Sequence, residues 1–343
     1  MFLAIGVDVT AAIVNATRAF LTRDQALAAD TVLGDMPVNR AIRELDKACH
    51  FFVARHLPSA GVLRFISSVL RLNIALERIG DYAATIARQT AQLHEPAPDI
   101  VARDVELMSE QSVLMLKQAV KAFVEGNAAA ARGTQGMAKQ VDSTFDRVFA
   151  DLLQEGEKKS RQLEDLFATL IAFNRLERIS DQAKNICEET IFAVTGETKE
   201  PKVYRILFVD KRNDLWSPMA ELMARRAFPQ SGRYASAGWE PAPSLDDRIA
   251  GFLEEKGFDA RDIKPSGLPT THEELDDYHV IVNLGTGLRE HLTDVPYKTL
   301  VLDWNLVPET EKGVTNETVD EVHQQFDFKL REMMETLRGE DAD

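Results

Sequence analysis

Cysteine is nearly missing from this 343-residue chain: only Cys49 and Cys187 are present, each inside a helical pattern. Two isolated thiols at that spacing suit neither a disulfide framework nor a thiolate metal site, so both are expected as buried small apolar groups. No cysteine follows residue 200, which excludes thiolate chemistry from the second part of the chain. Long apolar runs are also lacking. The opening from Met1 to Val7 is too short to span a bilayer and has neither the basic flank nor the cleavage site of a secretion signal, so a cytoplasmic location is expected. Positive charge is in deficit, with 40 Lys and Arg against 55 Asp and Glu and a net charge of −15. That balance argues against nucleic acid as a partner, because phosphate binding is carried by Lys and Arg. The deficit is uneven: −4 over residues 1–200 and −11 over residues 201–343.

Proline is scarce in the first part, where Pro37, Pro58, Pro96 and Pro98 are the only ones between Ala11 and Thr195. Apolar residues there recur at three and four. Helices are therefore expected throughout, broken near Gly34–Pro37, Leu57–Gly61 and His94–Ile100, three to each half.

What the chain does have is a motif written twice. Leu76-Glu77-Arg78-Ile79-Gly80-Asp81 returns as Leu176-Glu177-Arg178-Ile179-Ser180-Asp181, 100 residues later. The duplication extends along the helix: Leu72, Leu76, Ile79, Ala83 and Ile86 correspond to Ala172, Leu176, Ile179, Ala183 and Ile186, one heptad-like seam per copy. Two three-helix bundles side by side would bury both seams.

Within each motif the acids are four apart, on one helix face, where like charges repel by roughly 0.2–0.5 kcal/mol. Something should offset that repulsion. A cation bound by Glu77 with Asp81 and by Glu177 with Asp181 is one answer, since clustered carboxylates are hard ligands suited to Mg, Mn or Fe. The other is a solvated ion-pair network with Arg78 and Arg178, or with nearby Arg71 and Arg175. Neither motif contains His, which sets it apart from ferritin-like di-iron sites.

After the polar stretch Thr195–Lys202 the pattern changes. Strands are expected at Tyr204–Val209, His279–Leu284 and Thr299–Leu302, alternating with helices at Ser217–Ala227, Ser244–Gly257 and Thr315–Arg338; such alternation builds a parallel sheet with helices on both faces.

The first part resembles the PhoU family of phosphate-signalling regulators, whose hallmark Glu-Arg-Ile-Gly-Asp is present as Glu77–Asp81 and, with Ser in fourth place, as Glu177–Asp181. Pro58-Ser59-Ala60 with Leu63-Arg64 is similar to the family's Pro-x-Ala-x-x-Leu-Arg segment, and Arg23-Asp24 falls in the first inter-helix loop. The resemblance implies tandem three-helix bundles over residues 1–195, with repeats at about 1–95 and 101–195. It further implies bound divalent or trivalent metal (Fe, Mn, Mg or Zn) at Glu77, Asp81, Glu177 and Asp181. The implied partners are a phosphate-transporter ATPase and a sensor histidine kinase, with peripheral membrane association only through partners, and a homodimer. Three departures stand out: Val62 replaces the family's acid before Leu-Arg, Lys158–Leu163 lacks the Pro-x-Ala segment, and the first helix starts late, at Met1.

Beyond a linker at 196–202, residues 203–338 resemble low-molecular-weight tyrosine phosphatases and arsenate reductases, and 339–343 form an acidic tail. The loop Asp210-Lys211-Arg212-Asn213-Asp214-Leu215-Trp216-Ser217-Pro218-Met219-Ala220-Glu221 is similar to that family's Cys-x5-Arg-Ser followed by Pro-Met-Ala-Glu. Ser236-Ala237-Gly238 and Leu253–Gly257 extend the match. The resemblance implies a four-stranded parallel sheet and an anion cradle of backbone N–H groups ahead of a helix whose N-cap is Ser217 and first residue Pro218. Its chemistry is not matched, because Asp210 stands where the nucleophilic Cys belongs and Trp216 where the Arg belongs. The segment Trp304-Asn305-Leu306-Val307-Pro308 also lacks the family's general acid. Asp210, Asn213, Trp216 and Ser217 are thus expected to form a degenerate anion loop, with the Asp210 carboxylate as internal anion and Trp216, Trp239 and Trp304 near the old cleft rim.

The fold class expected is multidomain, all-α followed by α/β. The function expected is non-enzymatic regulation of phosphate uptake, with a pseudophosphatase domain. The alternatives are a carboxylate-metal phosphohydrolase and a metal or phosphate store.

Overall fold

In a computed structural model, residues 1–157, 162–198, 201–246, 257, 263–292, 295–296, 298–308, 314–339 and 342 are described. Two compact units divide the chain, Met1–Lys199 and Glu200–Asp343.

The first unit is helical: α1 (Phe2–Thr22), α2 (Gln25–Arg55), α3 (Ala60–Gln89), α4 (Asp99–Val124), α5 (Ala128–Gln135), α6 (Ala138–Glu157) and α7 (Leu163–Thr195). Helix α1 stops at Arg23 in the left-handed region, φ 55°, and Asp24 caps α2 by accepting from the Leu27 N–H at 2.9 Å. A two-residue turn of this kind makes α1 and α2 antiparallel neighbours. The expected break at Gly34–Pro37 does not occur, because α2 runs unbroken through Pro37. Burial of Ala28, Thr31, Val38 and Ile42 on either side holds the helix against a local penalty of about 3 kcal/mol. The hydrogen bond that Pro37 cannot donate falls at exposed Leu33. The first half keeps its three helices, with the first break at Arg23–Asp24, whereas in the second the middle helix is divided into α5 and α6 at Gly136–Met137, near Gly133 in a weak helical stretch.

All ten seam residues are buried, and α3 and α7 form the most extensive helix contact. The halves therefore share a single core, which also joins α1 to α4. Helix α1 is longer than its apolar opening suggests and is long and apolar enough to cross a membrane by length and composition. Its Ile5, Val9, Ile13, Ala16 and Phe20 instead fill the bundle core.

In the second unit four parallel strands, β1 (Tyr204–Asp210), β2 (Gly232–Gly238), β3 (Val280–Asn283) and β4 (Leu300–Asp303), lie in the order β2-β1-β3-β4. Strand β2 carries Gly, Arg, Ser and Ala and shows no apolar run, so patterning does not reveal it. Ile206 and Phe208 point into one apolar layer with α8 (Trp216–Ala227) and the long helix Asn316–Arg338, while Leu207 and Val209 point into another. The expected helix at Ser244–Gly257 lies, beyond Asp246, outside the described residues apart from Gly257. The loop after β1 emerges at the carboxyl edge between β2 and β3, the switch point where open α/β sheets place their sites.

Candidate functional site

The two acidic pairs differ in setting. On α3, Glu77 and Asp81 are exposed, and neither makes an ion pair with a described residue. On α7, Glu177 is buried and Asp181 half-buried, and Arg178 lies between them, 3.5 Å from Glu177 and 3.2 Å from Asp181. The expected ion-pair network is thus formed in the second copy. Arg71 is engaged elsewhere, 2.9 Å from Glu189, and Arg175 lies over the Tyr82 ring.

Packing of α2 on α3 adds a carboxylate that the motif does not contain. Asp35 is buried, and its Oδ1 would lie 2.8 Å from a Cβ placed on Gly80, so the motif's glycine opens the space this acid occupies. Asn39 donates to Asp35 Oδ2 at 2.7 Å, whereas Oδ1 has no hydrogen-bond partner among the described residues. Burial, reinforced by the neighbouring Asp81 charge, holds the Asp35 carboxyl above its ordinary value; Asn39 and Arg88 oppose that shift. A buried acid with an unpartnered oxygen beside a second acid can be relieved by a proton or by a cation. Among the described residues, though, no three His, Cys, Asp or Glu side chains converge as a ready metal cluster. Sequence reasoning missed Asp35 because its link to the motif is tertiary; an Asp on a helix with Asn four residues later is the only local signal.

In the second unit the Asp210 carboxylate lies inside the loop it precedes. Oδ1 accepts the N–H groups of Arg212 at 3.0 Å and Asn213 at 2.6 Å, and Oδ2 accepts that of Ser217 at 2.7 Å. Asn213 adopts the left-handed region at φ 51°, donates from Nδ2 to Ser217 Oγ at 2.9 Å and accepts the Ser266 N–H at 2.7 Å. Asn tolerates that backbone better than most residues, and here its amide also links the loop's end at Ser217 to the separate segment at Ser266. The loop lies directly against Gly238, where a Cβ would meet Asn213 N at 2.8 Å and Arg212 C at 2.9 Å. Buried Asp214 accepts from Arg212 Nε at 2.8 Å, and Lys211 pairs with Glu240 at 3.1 Å. Both loop cations are thereby turned onto carboxylates.

Burial pushes the Asp210 carboxyl up, and the N–H groups of Asn213 and Ser217 pull against it. Behind the loop, Glu221 is buried and likewise raised by burial, opposed by Ser236, whose Oγ donates to it at 2.5 Å, and by paired Arg225. Helix α8 starts at Trp216 with Leu215 in the cap position, two residues earlier than a Ser217 cap would give, and the Asp210 carboxylate accepts the Ser217 N–H. Trp216 does not line a rim: it is buried in the apolar layer that also holds residues of the Asn316–Arg338 helix. Trp304 packs on Phe208 and Phe326, and Trp239 stacks on His291.

This geometry defines a protein of two fused parts, a duplicated helical bundle with acidic faces and an α/β domain of phosphatase type. Residues 3–90 and 105–190 match the PhoU domain family, and residues 205–303 match the low molecular weight phosphotyrosine protein phosphatase family. The chain is 31% identical over 195 residues to a phosphate-specific transport system accessory protein PhoU homolog of Pseudomonas putida, covering 57% of this chain and 76% of the relative. Among solved structures, PhoU from Pseudomonas aeruginosa superposes with a TM-score of 0.55 at 31% identity, over 57% of this chain and 94% of that one. The phosphate transport system regulatory protein PhoU from Streptococcus pneumoniae gives 0.54 at 26% identity, over 58% and 94%. The chain belongs to the PhoU family.

Proposed function

We propose that this protein is a cytoplasmic, non-enzymatic regulator of phosphate uptake and phosphate-starvation signalling. It acts through its helical faces on a phosphate-transporter ATPase or a sensor histidine kinase, as a homodimer. Family membership and the relatives' designation as transport accessory proteins support the helical half of this reading. Co-purification of a transporter ATPase with the full chain tests it, and failure to capture one from phosphate-replete cells counts against it.

The second domain is read as a phosphatase scaffold without turnover. The observation that carries this is Asp210: its carboxylate takes three loop N–H groups that would otherwise hold a phosphoryl oxygen, and no thiol is available to attack phosphorus. Full-length protein is expected to leave an aryl phosphate intact with and without Mn or Fe. Turnover that disappears in Asp210→Ala would falsify this reading.

A multivalent cation is assigned to Glu77 and Asp81, with Asp35 behind them. The orphaned Asp35 oxygen and the unpaired exposed acids fit oxygen-seeking cations such as Mn, Mg or Fe better than borderline Zn. At Glu177 and Asp181 a cation would have to displace Arg178, so weaker binding is expected there. Calorimetric titration with Mn should show a site lost in Asp81→Ala; identical heats in wild type and variant exclude it.

A further inference from the structure

We propose that the turn between α2 and α3 is a lipid-facing tip that enters the headgroup region of an anionic bilayer directly, rather than through a partner protein. Between Asp46 and Glu77 this acidic chain has no carboxylate, while Lys47, Arg55, Arg64 and Arg71 fall in that stretch. The same stretch exposes Phe51, Phe52, Leu57, Val62, Leu63 and Phe65, with Phe51 63% exposed. Apolar side chains gathered in this number at one helical turn mark a contact surface.

Charge selects the occupant. Lys47 and Arg71 are already paired with Glu44 and Glu189, which leaves Arg55 and Arg64 at the tip itself. Arg55 lies 5.4 Å from the centre of the Phe51 ring, so cation and apolar group share one edge, as at a headgroup boundary. Arg64 donates from Nε to the Ala193 carbonyl. Acids at the same end, Glu125 and Glu197, are paired with Lys121 and Arg132, within a chain whose net charge is −15.

Shape argues against a peptide. The tip is convex, two helices joined across His56–Ser59. The described cavities of about 380 Å³ lie elsewhere, between α1 and α4 and between α4 and α5. A protein partner needs a complementary pocket of its own, while a bilayer moulds itself to a convex apolar tip. Ring contacts of Phe2 and Phe65 with Phe123, at 5.0 and 5.3 Å, bring the start of α1 and the end of α4 to the same end of the bundle and broaden the front.

The test is flotation of the full chain with protein-free vesicles of phosphatidylcholine alone or with phosphatidylglycerol. Wild type should float only with the anionic vesicles and less at high salt. Partition should fall about tenfold or more in Phe51→Ser/Phe52→Ser/Leu57→Ser and in Arg55→Glu, and stay unchanged in the control Leu33→Ser. In Phe51→Trp, emission should be quenched by lipids brominated on the acyl chain. Absence of wild-type binding, or equal binding by the triple variant, overturns the proposal. Binding only to membranes that retain their proteins would assign the tip to a protein partner instead. Loss of self-association in the triple variant without any vesicle binding would assign it to a second copy.

Discussion

Asp210 is the residue on which the second unit turns. Replacing it with Ala leaves the N–H groups of Arg212, Asn213 and Ser217 without their acceptor. A loss of roughly 2–4 kcal/mol is expected, since each unsatisfied buried donor costs about 1–3 kcal/mol and some are regained by water. Millimolar phosphate or sulfate should restore part of the melting temperature of Asp210→Ala by binding the vacated cradle, and leave that of wild type unchanged. Glu221 supplies a pH signature. Its folded carboxyl is raised above the unfolded value, so its contribution is present below the ordinary carboxylate range and is lost as pH rises through the folded pKa. Thermal melts from pH 4 to 7 should show the second transition falling with pH in wild type and falling less in Glu221→Gln. The thiols are inert by the same physics: burial pushes Cys187 up to about 12 and raises Cys49. Neither should react with a disulfide reagent at pH 8 until the protein is unfolded. That both cysteines are buried was legible from the helical pattern around them. The three N–H bonds to Asp210 were legible only as a suspicion, because loop chemistry names an acceptor without placing it.

At the level of elements, the seam on α3 and α7 holds the first unit together. Leu76→Ala and Leu176→Ala each remove a fully buried side chain where the two helices meet, and a loss of about 2–5 kcal/mol is expected for each in denaturant titration. The seam was readable because a repeat at three and four is a property of one helix, independent of its partners. The fate of Pro37 was not. Local preference ends a helix there, and only the packing of α2 against α1 and α3 carries it through. Strand β2 was hidden for a related reason: its Gly, Arg and Ser residues carry little strand preference, and it exists through its register with β1, from Tyr204 opposite Gly232 to Asp210 opposite Gly238. That register presses Gly238 against the loop, so Gly238→Ala should destabilise the second unit even though alanine is a small addition.

For the whole molecule, two units with separate cores should unfold in two steps. Calorimetry is expected to show Leu76→Ala lowering one transition and Asp210→Ala the other, each leaving its counterpart in place. A single transition shifted by both substitutions would show the units to be thermodynamically coupled. The unequal charge of the two halves bears on the same experiment, because the more acidic second unit should gain more from added salt through screening of its self-repulsion.

The duplication, the helical period, the change to strands near residue 200 and the lack of a thiol beyond it are properties of neighbouring residues, legible before any packing is known. The contacts of Arg178 with Glu177 and Asp181 lie within one helix and were legible beforehand, whereas the surroundings of Asp35 and Trp216 depend on how helices pack. Asp35 reaches Gly80 and Asp81 only because α2 lies on α3, and Trp216 is buried in a layer assembled from strands and helices far apart in sequence. Two copies of one motif thus came to differ, an orphaned buried oxygen beside the first and an arginine between the acids of the second. The physical reason is range: backbone preference and periodicity act over a few residues, whereas burial and Coulomb interaction depend on distances that only the packed chain sets.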